Sequence, residues 1–217
     1  IPATYAALRA RTLCAISMHL WYDGEPERRL ALADQALALA RKAGDGETAS
    51  IALLTKRHAL YGPADLSERI RLASQALRGA ERCRNQSQRC LILTWRAVDL
   101  LEAGDLCAAQ RDVDTFERIA TAEHLTRFRG FPARWRALCS TIAGRLDEAE
   151  RHVADGAARM RSSDDPNAEA FAGLQLAALR LEQGRIDEME ALRRAAEPWL
   201  AKFRERVRSV RAALAVL

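Results

Sequence analysis

"LILTWRAVDLLEAGDLCAAQRDVDTF", Leu91 to Phe116, has an apolar-rich run, then Gly104, then a second run of mixed polarity. A glycine lacks the Cβ that penalises the left-handed conformation, so it ends a helix at little steric cost. The stretch therefore reads as one helix, a turn of two or three polar residues, and a second amphipathic helix.

The same design recurs along the chain. "YDGEPERRLALADQAL" from Tyr22, "IAGRLDEAERHVADGA" from Ile142 and "LEQGRIDEMEALRRAA" from Leu181 each place a glycine before an amphipathic run, and Gly62 in "YGPADLSERIRLASQAL" fits between the first two. The glycines Gly24, Gly62, Gly104, Gly144 and Gly184 are 38, 42, 40 and 40 residues apart. In "LDEAERHVADGAARM", apolar or small residues at 146, 149, 153, 157 and 160 make a one-sided helical stripe. Hairpins are predicted over about 1–44, 46–84, 86–122, 125–161 and 166–201, with a final helix over about 203–217. Pro166 suits the first turn of the fifth hairpin.

A second signal concerns packing. Seven residues before the glycines stand Ser17, Thr55, Ala97, Ala137 and Ala177, all small, as close helix approach requires. Five residues after the glycine, Ala109 and Ala149 mark the facing position, Met189 takes it in the last unit, and the first unit reads out of step.

Composition agrees with an all-α class. Of 217 residues, 49% are apolar but only 6% aromatic, so the interior is filled by many small, closely approaching elements. The net charge of +5 is dispersed and almost wholly arginine, with lysine only at 42, 56 and 202, which is weak support for a nucleic-acid partner. "LTKRHALYG" (Lys56, Arg57) reads as a solvated charged face. Cys14, Cys83, Cys90, Cys107 and Cys139 form no ligand spacing and read as buried thiols in a reducing cytoplasm. No signal peptide and no apolar run of transmembrane length occurs, and the ends, Ile1-Pro2 and "AALAVL", read as those of an excised fragment.

Chemistry-bearing patterns are missing. His19, His58, His124 and His152 have no acidic or thiol partner at ligand spacing and read as solvated or hydrogen-bonded helical histidines, so no metal or other cofactor is expected. Ser17, Ser140 and Ser162 lack a nucleophile-elbow setting. Acidic pairs in "LDEAE", "IDEME" and "SSDDP" stand at helix starts, where carboxylates oppose the helix dipole. The reading is of a chain that is not an enzyme.

"GDLCAAQ" and "GRLDEAE" resemble the Gly-x-x-x-x-Ala signature joining the two helices of a tetratricopeptide repeat, here with units near 40 residues instead of 34. With "WYDGEPERRLALADQALALARKAGD" and "RHALYGPADLSERIRLASQAL", the whole chain resembles the helical-repeat region of large bacterial ATPase regulators of the maltose-regulator, antibiotic-regulator and LuxR type. The resemblance implies a right-handed solenoid of about five hairpins plus a C-terminal helix. It also implies a sensor or scaffold module that couples an effector or protein partner to ATPase and DNA-binding modules of the same polypeptide. A general adaptor of tetratricopeptide type is the alternative. The chain has no Gly-x-x-x-x-Gly-Lys-Ser/Thr loop and no helix-turn-helix signature, so neither ATPase chemistry nor direct nucleic-acid contact is expected from these residues.

The same resemblance implies that Thr94 and Val98, then Arg134 and Leu138, line the concave face. Trp95 and Trp135 sit nine residues before their glycines, and Arg96 and Arg136 eight before. Two readings of these pairs stay open. The rings can fill the seam between repeats while arginine stems cover it, or the pairs can form an aromatic-cationic strip for an anionic or peptide ligand. The interspersed Asp and Glu leave no continuous cationic track for single-stranded nucleic acid. Within "TRFRGFPARWR" (126–136), Gly130 and Pro132 delay the start of the fourth first-helix and leave Arg127 to Gly130 as a linker or single turn.

Overall fold

A computed structural model describes residues 3–20, 25–60, 63–161, 168–192, 194 and 197. Gly24, Gly62, Pro166 and the final helix expected over 203–217 lie outside the described residues. Among those described, all regular structure is helical. The α-helices include α1 (Ala3–His19), α2 (Pro26–Lys42), α3 (Gly46–Ala59), α4 (Leu66–Arg82), α5 (Gln86–Glu102), α6 (Leu106–Ala122), α7 (Phe131–Ile142), α8 (Leu146–Arg161) and α9 (Ala168–Glu182). No described helix is long and apolar enough to cross a membrane.

The chain divides into two compact units, Ile1–Glu123 and His124–Leu217. In the first, each helix from α1 to α6 packs on the next, and α1 also packs on α3. In the second, α8 packs on both α7 and α9, which also touch each other.

The turns explain the period. Among the described residues, those with positive φ are Gly44, Arg84, Gly104, His124, Gly144 and Gly184, so they fall 20 or 40 residues apart. Each forty-residue unit is thus two half-units of twenty, which for α2, α4, α5 and α6 means a 17-residue helix and three turn residues. At Gly104 the backbone N–H donates to Leu101 O at 2.9 Å and that of Asp105 to Leu100 O at 2.9 Å, the paired bonds that satisfy a helix's last carbonyls. The same pair of bonds recurs at Gly44/Asp45, Arg84/Asn85, Gly144/Arg145 and Gly184/Arg185. The residue after the positive-φ position then opens the next helix. Asp45, Asn85 and Asp105 accept from the N–H of Thr48, Gln88 and Ala108, each at 2.9 Å, and such a cap is worth about 1 kcal/mol.

Packing follows the same register. Ser17, Thr55, Ala97, Ala137 and Ala177 are all buried, as are Ala109, Ala149 and Met189. Counted in steps of forty, the column through Ala109 and Ala149 continues back to Arg69 and Arg29, and the column through Ser17 and Ala97 passes through Arg57. All three arginines are buried. The first unit's register is therefore regular, with large cations where small residues were expected. Gly62 stands two residues ahead of position 64, where the twenty-residue register falls, and the chain enters α4 through a 3-10 turn, Pro63–Asp65.

The start of α7 has a local cause. A 3-10 turn spans Thr126–Phe128, and α7 is 12 residues long against 17 for α5. Gly130 caps α7, with Pro132 in its first turn. A Cβ on Gly130 would lie 2.1 Å from Met160 Cγ, so the end of α8 requires a glycine there.

Candidate functional site

Thr94, Trp95, Arg96 and Val98 lie within five residues of α5. The half-buried Thr94 donates its hydroxyl to Cys90 O at 3.0 Å, within its own helix. Trp95 is also half-buried; its ring meets the His58 ring edge-on, centroids 4.7 Å apart, and takes the Arg57 guanidinium at 4.8 Å. Arg96 reaches toward α6, donating Nε to Asp112 Oδ2 at 2.7 Å and Nη2 to Oδ1 at 2.6 Å, while its Nη1 donates to Ser74 Oγ of α4 at 3.3 Å. Trp95 and Arg96 thus both contact neighbouring helices. Val98 is 37% exposed.

In the second unit, Trp135 is buried in α7 and Arg136 is exposed. Arg134 and Leu138 are half-buried, and the Arg134 carbonyl accepts from Gln175 Nε2 of α9 at 2.9 Å. In the same unit Arg180 of α9, itself buried, binds Glu150 and Glu188, the latter at 2.8 Å. Hydrogen bonds from Arg180 and Gln183 bring the Glu150 carboxyl down to about 2.

A polar cluster in the first unit escaped the sequence reading. Arg57 does not lie on a solvated face: its side chain is 0% exposed and pairs with Asp99, also 0% exposed. Lys56, beside it, does reach a partner nearer the surface, donating to Asp34 at 2.6 Å. Arg69 of α4 approaches Asp99 at 3.6 Å and donates to Glu102. Arg29 of α2 spans two neighbours, donating Nε to Ser17 O of α1 at 3.1 Å and Nη2 to His58 O of α3 at 2.7 Å. Burial lowers the Arg29 pKa. His58 donates Nδ1–H to Leu54 O at 2.6 Å, and burial, then the charge of Arg57, push its pKa down to about 3. The ring is neutral at pH 7. These groups clamp α2, α3, α4 and α5 together.

The cysteines also divide differently from expectation. Cys14 and Cys90 are buried and Cys139 is half-buried, but Cys83 and Cys107 are exposed. Cys83 caps the end of α4 and Cys107 lies in the first turn of α6, where side chains leave the packed face. Burial raises the Cys14 thiol. Among the described residues, no group of three or more His, Cys, Asp or Glu is placed to hold a metal ion.

On α5, Leu91, Thr94 and Val98 are spaced as one helical face and are at most partly buried. Forty residues earlier, α3 carries Ile51, Leu54 and His58 in the same columns, and α1 carries Arg11, Cys14 and Met18. Met18 is 39% exposed, Ile51 and Leu91 are half-buried, and Leu54, His58 and Cys14 are buried. Arg11 is exposed and donates to Thr48 of α3 at 2.9 Å. The columns are mildly apolar, and of these three helices α5 alone leaves all its members at least partly accessible. A comparison with protein-family models finds none that matches the chain, and a comparison with curated proteins finds no match either.

Proposed function

We propose that the chain is a non-catalytic sensor or scaffold module of a bacterial signal-responsive transcriptional regulator. In this reading it is a right-handed, cytoplasmic solenoid of about five hairpins. It binds an effector or protein partner on the face made by its first helices and couples that event to ATPase and DNA-binding modules. The observation that carries it is the row Leu91, Thr94 and Val98, outward and only partly buried on a helix whose other conspicuous residues, Trp95 and Arg96, are engaged in packing. A ligand touching several first helices would favour one arrangement of the repeats over another, which is a population shift.

Site-specific photocrosslinking tests it. A benzophenone side chain at position 91, 94 or 98 should give one common product in cells, and the same group at the exposed Gln110 of α6 should not. Val98→Glu should remove the product while leaving the melting temperature unchanged. Crosslinking from position 110 alone would sink the reading.

A further inference from the structure

Helices α1, α3 and α5 carry four matching columns forty residues apart: 5/45/85, 8/48/88, 12/52/92 and 16/56/96. On α3 and α5 the preceding hairpin occupies these columns. Thr48 is buried and accepts from Arg11 of α1 at 2.9 Å; Gln88 is buried and donates to Ser50 of α3 at 3.0 Å. Asn85 reaches Glu47 of α3 at 2.9 Å. Ala52 and Ile92 are 0% exposed. Lys56 donates to Asp34 of α2 at 2.6 Å and Arg96 to Ser74 of α4 at 3.3 Å, and Asp34 and Ser74 are themselves forty residues apart. The last column therefore reaches back to the second helix of the hairpin before it.

On α1 these columns hold Tyr5, Leu8, Thr12 and Ile16, within one face of the helix. Tyr5 is 60% exposed, Leu8 62% and Ile16 41%. Three of the four are large and apolar, where α3 and α5 hold mostly polar groups that reach specific partners. The second helices that meet the equivalent columns bury one repeated stripe: Ala33, Ala36, Leu37 and Ala40 on α2, and Ala73, Ala76, Leu77 and Ala80 on α4. An exposed apolar stripe is a common mark of an interaction surface, and here the register says which kind of element fits it.

We infer that the face of Tyr5, Leu8, Thr12 and Ile16 on α1 is a docking surface for a helical hairpin of the chain's own forty-residue design. The hairpin seats on α1 as α1 and α2 seat on α3, with an Ala-x-x-Ala-Leu-x-x-Ala stripe on its second helix.

The test fuses a second copy of residues 45–84 directly ahead of Tyr5 in the full chain, which keeps the register because residue 84 then precedes position 5 as it precedes position 85. Amide exchange across residues 5–16 should slow by at least about ten-fold. Leu8→Glu and Ile16→Glu should lower the melting temperature of the fusion by about 5 °C or more and leave that of the original chain unchanged. Unchanged exchange in α1, or equal effects of Leu8→Glu in the two chains, overturns the inference, whether or not the added hairpin folds. A dimer of the original chain that Leu8→Glu dissociates in sedimentation assigns the face to a second copy and also overturns it.

Discussion

Arg57 of α3 and Asp99 of α5 form a two-pronged ion pair with neither side chain exposed, Nε donating to Oδ2 at 2.8 Å and Nη2 to Oδ1. It joins consecutive first helices across a position where the other repeats keep serine or alanine. A buried pair gains little over a well-packed apolar pair, but losing one partner strands a charge. Asp99→Asn should lower the unfolding free energy by about 3–5 kcal/mol. The double variant Arg57→Met with Asp99→Leu should recover most of that loss. Urea midpoints of the parent and these two variants at pH 7 check both statements, and a double variant no more stable than Asp99→Asn would refute the coupling.

His58 makes stability depend on pH. Its pKa falls from the ordinary 6.5 to about 3 in the folded chain, mainly through burial. The unfolded chain therefore binds a proton below pH 6.5 that the folded chain refuses. The contribution is complete above pH 6.5 and is lost progressively as pH falls toward 3, at up to about 1.4 kcal/mol per pH unit. Denaturation between pH 7 and pH 5, before most carboxylates titrate, should show that slope. His58→Gln should flatten it.

The helical hairpins were legible because their signals are local: a turn glycine, a polar capping residue and a one-sided stripe. Ala97 with Ala109, and Ala137 with Ala149, were readable from spacing alone and are buried. Arg29, Arg57 and Arg69 were not, since arginine is ordinarily exposed and nothing local announces a carboxylate forty residues away. Only the strict twenty-residue register exposes them, and that register passes through Arg84 and His124, where no glycine flags the turn. The matched Trp-Arg pairs drew attention at the candidate site, and in α5 both residues contact neighbouring helices. The outward residues there, Thr94 and Val98, came from the family resemblance and not from their chemistry.

Those two turn residues lead to a third expectation. Arg84 has φ 55° and His124 φ 52°, in the left-handed region that Gly44, Gly104, Gly144 and Gly184 occupy at the same register. A side chain there costs about 1–2 kcal/mol, partly offset by the greater freedom of an unfolded glycine. Arg84→Gly should raise stability by about 0.5–1 kcal/mol. Gly104→Ala should lower it by a similar amount through the backbone alone, because no atom lies within 4 Å of the added Cβ. Thermal unfolding of both variants, with opposite shifts expected, is the check.

Arg96 and Val98 should separate packing from binding within one helix. Arg96→Ala breaks two hydrogen bonds to Asp112 and leaves that nearly buried carboxylate without its arginine, so a loss of about 1–3 kcal/mol is expected. Val98→Ser, on a partly exposed side chain, should stay within about 0.5 kcal/mol. Chemical denaturation ranks them. A larger loss from Val98→Ser would mean that the outward face of α5 is part of the core and free for no partner.

Gly130 and Met160 offer the sharpest steric test in the second unit. The added Cβ of Gly130→Ala would sit 2.1 Å from Met160 Cγ and 3.0 Å from its sulfur, although the glycine's φ of −79° suits any residue. The penalty is therefore overpacking and not backbone strain, and it should amount to about 1–3 kcal/mol. Met160→Ala alone opens a void beneath Gly130 and should also destabilise. Combined, the two changes relieve each other, because the small side chain leaves room for the new methyl. A double-mutant cycle by thermal unfolding should give a favourable coupling of about 1 kcal/mol or more. Simple additivity would mean that the start of α7 moves away from α8 instead of pressing on it.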